Sequence, residues 1–180
     1  MKVEINTETN EIFIDGQLVE VIKQQITSKN PGRIADEFAM HRGDTEYTGI
    51  VHVIQEWYYG SLVKSAWCAT AMSYFANQCG LLAAIGGKNE NVYQMMNACK
   101  RANSGTFYSK KHIPKQIYKG DILFWLWEGE TMEVGSSKHV NVAEYDSYNG
   151  NIFAIGGNQK DKICTLEYTR DKLYAVYRIR

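Results

Sequence analysis

The stretch SAWCATAMSYFANQCG, residues 65–80, decides the fold. Ser65 has the side chain of a helix N-cap, and Gly80 suits the left-handed residue that follows a helix. Between them the chain is apolar almost all round, which predicts a buried central helix. Upstream, IADEFAMHRGDTEYTGIVHVIQEWYY (34–59) predicts two short helices separated by a loop over Gly43–Gly49. In the second, Ile50, Val53, Ile54 and Trp57 recur at i, i+3, i+4 and i+7, the spacing of a core-facing stripe. Downstream, residues 89–101 predict another helix with Val92, Met95, Met96 and Cys99 on one stripe, and SGTFYSKKHIP then reads as a loop. The character changes after that to apolar strand-like runs: DILFWLW (121–127), HVNVAEYD (139–146), NIFAIGG (151–157) and KLYAVYRIR (172–180). Asn149-Gly150 between the second and third of these is a hairpin signal. Helices first and strands later predict an α+β domain with a helical layer packed on an antiparallel sheet.

The remaining chain fits that frame. KVEIN and EIFI near the start alternate apolar and polar residues around the turn TETN, and IDGQLVEVI adds an Asp-Gly turn and a further apolar run. TSKNPG (27–32) is a loop and the candidate boundary between an N-terminal β-rich appendage (1–32) and the main domain (33–180). With 180 residues, one compact domain with a small appendage is the expected plan.

Composition narrows the functional class. Apolar residues make up 44% and charged residues 22%, ordinary globular usage. Twenty Lys and Arg balance twenty Asp and Glu, with no basic block, so an electrostatic grip on nucleic acid or anionic lipid is not expected. No run approaches the ~18 apolar residues of a membrane span. The N-terminal sixteen residues hold no apolar run of signal-peptide type, so cytoplasmic synthesis is expected. The four cysteines, Cys68, Cys79, Cys99 and Cys164, form no CxxC pair, and no metal site or cofactor is expected. Cys68 and Cys79 share a predicted helix about 16 Å apart along its axis, too far for a disulfide.

Cys68 stands out by position. Near the start of its helix, the free N–H groups and the dipole favour negative charge, which predicts a thiol pKa lowered toward the nucleophilic thiolate. The same N–H groups can receive an oxyanion. Such a nucleophile needs a base and a group to orient the base. His139 opens one predicted strand and Asn158 ends its neighbour, so a helix crossing that sheet end would bring Cys68, His139 and Asn158 together. Each has a plainer reading too: a buried structural thiol, a strand-end histidine, and a turn residue after two glycines. Trp67 sits beside Cys68, and its ring could stack on a sugar.

Several of these pieces together resemble the CHAP family (cysteine/histidine-dependent amidohydrolase/peptidase) of the NlpC/P60-like superfamily. They are Tyr59-Gly60, Trp67-Cys68, the Asn-Gln-x-Gly helix end at 77–80, Gly120-Asp121-Ile122, His139-Val140 and Gly157-Asn158, in order over residues 33–180. The resemblance implies a papain-like α+β fold and a peptidoglycan hydrolase of the kind found in phage endolysins. Such an enzyme cleaves the N-acetylmuramoyl–L-alanine amide or a peptide bond of the wall, and it would act at the bacterial wall after release. Cys68 would be the nucleophile, His139 the base, Asn158 the orienting residue and Trp67 a substrate contact. The chain departs from the pattern at Gly156, where many relatives carry glutamate, and at Asn141, where many carry glycine. An inactive virion or tail module of the same fold, or a papain-like protease or toxin acting on protein, remain the alternative readings.

Overall fold

A computed structural model describes residues 3–6, 11–14, 17–18, 30–46, 48–127, 129, 131–133 and 138–180. Strands β1 (Val3–Asn6), β2 (Glu11–Ile14) and β3 (Gln17–Leu18) form a small antiparallel sheet, with Val3 opposite Ile14. The apolar run after Leu18 and most of the predicted boundary loop lie outside the described residues.

Among the described residues four α-helices follow: α1 (Gly32–Met40), α2 (Ile50–Tyr59), α3 (Cys68–Gln78) and α4 (Val92–Arg101). They are joined by a sheet of six antiparallel strands, so the chain is an α+β protein. The strands are β4 (Gly105–Ser109), β6 (Ile122–Leu126), β7 (Lys138–Ala143), β9 (Ile152–Gln159), β10 (Lys162–Tyr168) and β11 (Leu173–Ile179), in spatial order β10-β9-β7-β6-β11-β4. A two-stranded ribbon pairs β5 (Gln116–Ile117), in the connection before β6, with β8 (Ser147–Tyr148), in the connection between β7 and β9. The Asn149-Gly150 turn closes β8 there rather than a tight β7–β9 hairpin.

The sheet is covered on both faces. Ile122 and Phe124 of β6 join Val140, Val142 and Ile155 under the helices, while Leu123 and Trp125 pack on the opposite side with Ile117, Ala143, Ile152 and Ala154. Alternate residues of a strand point to opposite faces, so β6 reads as a continuous apolar run because both faces are dry. No helix among the described residues is long and apolar enough to cross a membrane.

Helix α3 is as buried as its sequence predicts, with residues 68 to 76 all enclosed. Its C-terminus is a Schellman motif. Gly80 adopts φ +68°, and the Gly80 and Leu81 N–H groups close onto the carbonyls of Asn77 and Ala76. Its start differs from expectation. Ser65 caps nothing. Trp67 is the N-cap, no side chain caps the helix, and Cys68 is its first residue. Helix α2 is also rotated from the predicted stripe: Val51, Ile54 and Gln55 are buried, whereas Val53 is 46% exposed. Apolar spacing alone does not separate Val51 from Val53, and a buried glutamine breaks the pattern.

Gly120-Asp121-Ile122 has a structural role. A Cβ on Gly120 would fall 2.5 Å from the backbone of Pro31 and Gly32, so only glycine lets this turn meet the start of α1. Asp121, almost fully enclosed, then accepts hydrogen bonds from Arg178 Nε (2.8 Å) and Nη2 (2.7 Å), tying β11 to the start of β6.

Candidate active site

Past their pairs Val142–Ile155 and Ala143–Ala154, β7 and β9 are no longer paired with each other, and the N-terminus of α3 enters at this end of the sheet. Gly157 makes the approach possible: a Cβ there would fall 2.5 Å from the Trp67 ring and 2.8 Å from the Ala71 methyl. Cys68 thereby reaches β7, where its sulfur meets the backbone N–H of Val140, the residue after His139, as well as those of Ala69 and Cys68 itself. Cys68, His139 and Asn158 all line one cavity of about 580 Å³.

The electrostatics differ from expectation. Cys68 is 5% exposed, and loss of solvent pushes its thiol up despite the three N–H groups that favour the thiolate. Burial likewise pushes His139 down to about 4, with only its bond to Gln159 opposing. The pair rests as neutral thiol and neutral imidazole, because desolvation outweighs the helix N-terminus.

Asn158 is in the cavity wall, but it makes no hydrogen bond to His139. Gln159 makes it, with Oε1 at 3.1 Å from Nε2. Strict alternation from Gly156, which faces Asn141, would aim residue 158 at the histidine face. Asn158 instead adopts φ +59° inside a β-bulge, where two residues of β9 oppose one of β10 between the Lys162–Gln159 and Cys164–Gly156 pairs. One extra residue reverses the facing of everything after it, so Gln159 takes the place expected of Asn158.

The polar chain behind the histidine fixes its proton. The Trp125 indole N–H, which can only donate, bonds to Asn141 Oδ1 at 2.7 Å. That turns Asn141 Nδ2 toward Gln159 Oε1, at 2.8 Å. Gln159 Nε2 donates to the carbonyls of Cys164 and Ala154, which can only accept. The Tyr168 hydroxyl, stacked ring on ring with Trp125, donates to the same Oε1 at 2.7 Å. Oε1 is thus the atom facing His139, so Nε2 carries the ring proton and Nδ1 keeps a bare lone pair.

Gly156 and Asn141 are matched to each other in size. A Cβ at position 156 would lie 2.7 Å from that of Asn141, so a side chain on either strand excludes one on the other. With Asn141 present, no carboxylate fits at 156, and Gln159 supplies the acceptor instead.

Trp67 is fully buried and does not reach the cavity, so the sugar-stacking place predicted for it is not available. Its ring packs against Gly157, and its indole N–H has no partner among the described residues. The aromatic surfaces facing the cavity are Trp127, 42% exposed, and Tyr168. Among the described residues no cluster of His, Cys, Asp and Glu has the arrangement to hold a metal ion, and all four cysteines are free. Comparison of the chain with family models, curated proteins and solved structures returns no match.

Proposed function

We propose that the protein is a cysteine-dependent hydrolase with a papain-like site, cleaving an amide bond of peptidoglycan as an N-acetylmuramoyl–L-alanine amidase or an endopeptidase. The observation that carries the reading is a thiol and an imidazole of fixed tautomer on one cavity wall, the imidazole held by a side-chain oxygen. The substrate class rests on the resemblance of the ordered motif pieces to the CHAP family.

Cys68 Sγ attacks the amide carbonyl as its proton passes to His139 Nδ1. The pair starts neutral, so attack and proton transfer are coupled. Backbone N–H groups at the mouth of α3 are the donors available to the developing oxyanion. His139 then gives the proton to the departing amine, leaving an acyl-thioester on Cys68. Water attacks the thioester, giving one proton to Nδ1 and forming the free acid, and that proton returns to sulfur. The Gln159 oxygen stabilises the imidazolium formed midway through Nε2–H.

The test is release of soluble fragments from purified cell walls. Cys68→Ala is expected to fold as the wild type does and to lose activity by roughly 10⁴-fold or more. Wall lysis by a pure, folded Cys68→Ala protein refutes the reading. Mass spectrometry of the wild-type products identifies the bond.

A further inference from the structure

A second cavity, about 250 Å³, is lined by Glu46, His52, Gln55, Leu62, Val63 and Lys64. It adjoins the first by two routes. Lys64 lines it, and Ala66, two residues on, lines the Cys68 cavity. On the other side, the Glu46 N–H bonds to the Asp161 carbonyl at 3.2 Å, next to Lys160 of the Cys68 cavity.

Gln55 is the unusual member of the lining. It is 3% exposed on the buried face of α2, and its amide has no hydrogen-bond partner among the described residues. The amide is not among the fully enclosed side-chain groups that lack a partner, so its polar end opens into the cavity instead of being sealed in the core. An apolar residue there would also satisfy the helical pattern of α2.

We propose that this cavity binds a peptide segment of the substrate, next to the bond that Cys68 attacks, and that Gln55 reads its main chain. The inference rests on the hydrolase reading for the identity of the substrate, but the binding site stands on its own residues. A primary amide offers a donor and an acceptor together, matching the C=O and N–H of a peptide unit. Leu62 and Val63 give a small aliphatic side chain an apolar wall. Glu46 and Lys64 place one charge of each sign at the cavity, suited to the mixed charges of a wall peptide. No Phe, Tyr or Trp among the described residues lines it, so it lacks the broad stacking surface that Trp127 and Tyr168 offer in the first cavity.

The experiment titrates Cys68→Ala full-length protein with N-acetyl-alanyl-alanine and, separately, with an N-acetylglucosamine tetramer, following side-chain amide and methyl signals by NMR. The dipeptide is expected to shift the Gln55 amide and Val63 methyl resonances at concentrations of about 1–10 mM, and the tetramer to leave them in place. Gln55→Leu removes an unpaired polar group, so its melting temperature is expected to hold or rise while dipeptide affinity falls about tenfold or more. Lys64→Met and Glu46→Gln, at exposed or half-exposed positions, give the same comparison without touching the core. The proposal is overturned if the dipeptide moves neither signal, if the tetramer moves them instead, or if a folded Gln55→Leu protein binds unchanged. Wall lysis by Cys68→Ala alongside Gln55-dependent dipeptide binding would refute the hydrolase reading and leave this site standing. Cys68-dependent lysis with no dipeptide effect at Gln55 would do the reverse.

Discussion

The two ends of β6 solve the same problem, burying polar groups in a dry sheet, in opposite ways. At the start, Asp121 accepts from Arg178 through both oxygens and from the Tyr118 N–H at 2.9 Å, while Arg178 also donates to the Gln116 carbonyl. Charge meets charge, and the network closes on itself. At the far end, Trp125, Asn141, Gln159 and Tyr168 are all neutral: Trp125 donates to Asn141, and Asn141 and Tyr168 both donate to Gln159 Oε1. The chain ends on His139, whose second ring nitrogen has no partner among the described residues, beside a thiol on a cavity wall. A closed ion pair locks strands together. An open neutral chain holds a ring in one tautomer and leaves a lone pair unused. Both ends are buried and well bonded, and only the open one is arranged to move a proton.

That contrast breaks most sharply at Gln159. Gln159→Leu keeps the volume and removes the acceptor, so the Nε2–H tautomer and the imidazolium lose their stabilising oxygen. Wall hydrolysis is expected to fall by roughly 10³–10⁴-fold, up to the loss of about 10⁴ seen when a triad's orienting carboxylate is replaced, and nitrogen NMR of His139 should show mixed tautomers. An unchanged rate and tautomer would move the orienting role elsewhere. Asp121→Ala should act the other way. It leaves Arg178 half-buried without its carboxylate and is expected to cost about 3 kcal/mol of stability, read by chemical denaturation. Below the melting temperature its kcat should match the wild type. A large loss of kcat in folded Asp121→Ala protein would mean that the closed end also sets the site.

The sequence made the middle of the molecule legible and its margins obscure. Central strands β6, β7, β9 and β11 are apolar runs because both faces are covered. Within the six-stranded sheet it hides β4 and β10, the two edges, where most residues are half-buried or exposed and apolar alternation fades. The same blindness touches the site. Cys68 and His139 lie on elements set by strong patterns. Gln159 follows a bulge between β9 and the unrecognised β10, and bulges change which residue faces inward without an apolar signature. Three of the four polar residues 158–161, Asn158, Lys160 and Asp161, have positive φ. A cluster of such turn-formers after two glycines is the available hint that alternation stops there. The expected thiolate failed for a different reason: helix position is visible in sequence, but depth of burial is not.

The buried imidazole makes a prediction about pH. His139 has its pKa lowered from 6.5 to about 4. Above pH 6.5 neither folded nor unfolded chain binds a proton there, so nothing is lost. Between about 6.5 and 4 the unfolded chain takes up a proton that the folded chain refuses, so stability falls as pH falls and levels off below about 4. The full shift is worth at most about 3 kcal/mol. Denaturation at pH 7 and pH 4 should show a smaller loss in His139→Gln than in the wild type. The acid limb of kcat/KM should lie near 4 rather than 6.5, since the base is neutral down to that point. A limb near 6.5 would place His139 in a more solvated setting.

The smallest expected effect tests the bulge itself. If Asn158 supplied the orienting oxygen, replacing it would cripple the enzyme. If its part is to adopt φ +59° and turn Gln159 inward, glycine does that at least as well. Asn158→Gly is therefore expected to change stability by less than about 0.5 kcal/mol, because asparagine tolerates this conformation nearly as well and glycine's extra unfolded-state freedom offsets its ease in the folded one. Hydrolysis should stay within a few-fold of the wild type. Asn158→Val keeps a side chain of similar size but strains the left-handed backbone, and it should lose both stability and rate as Gln159 is displaced. A glycine variant as damaged as Gln159→Leu would return the orienting role to Asn158. Equal tolerance of glycine and valine would show that the bulge does not control where Gln159 points.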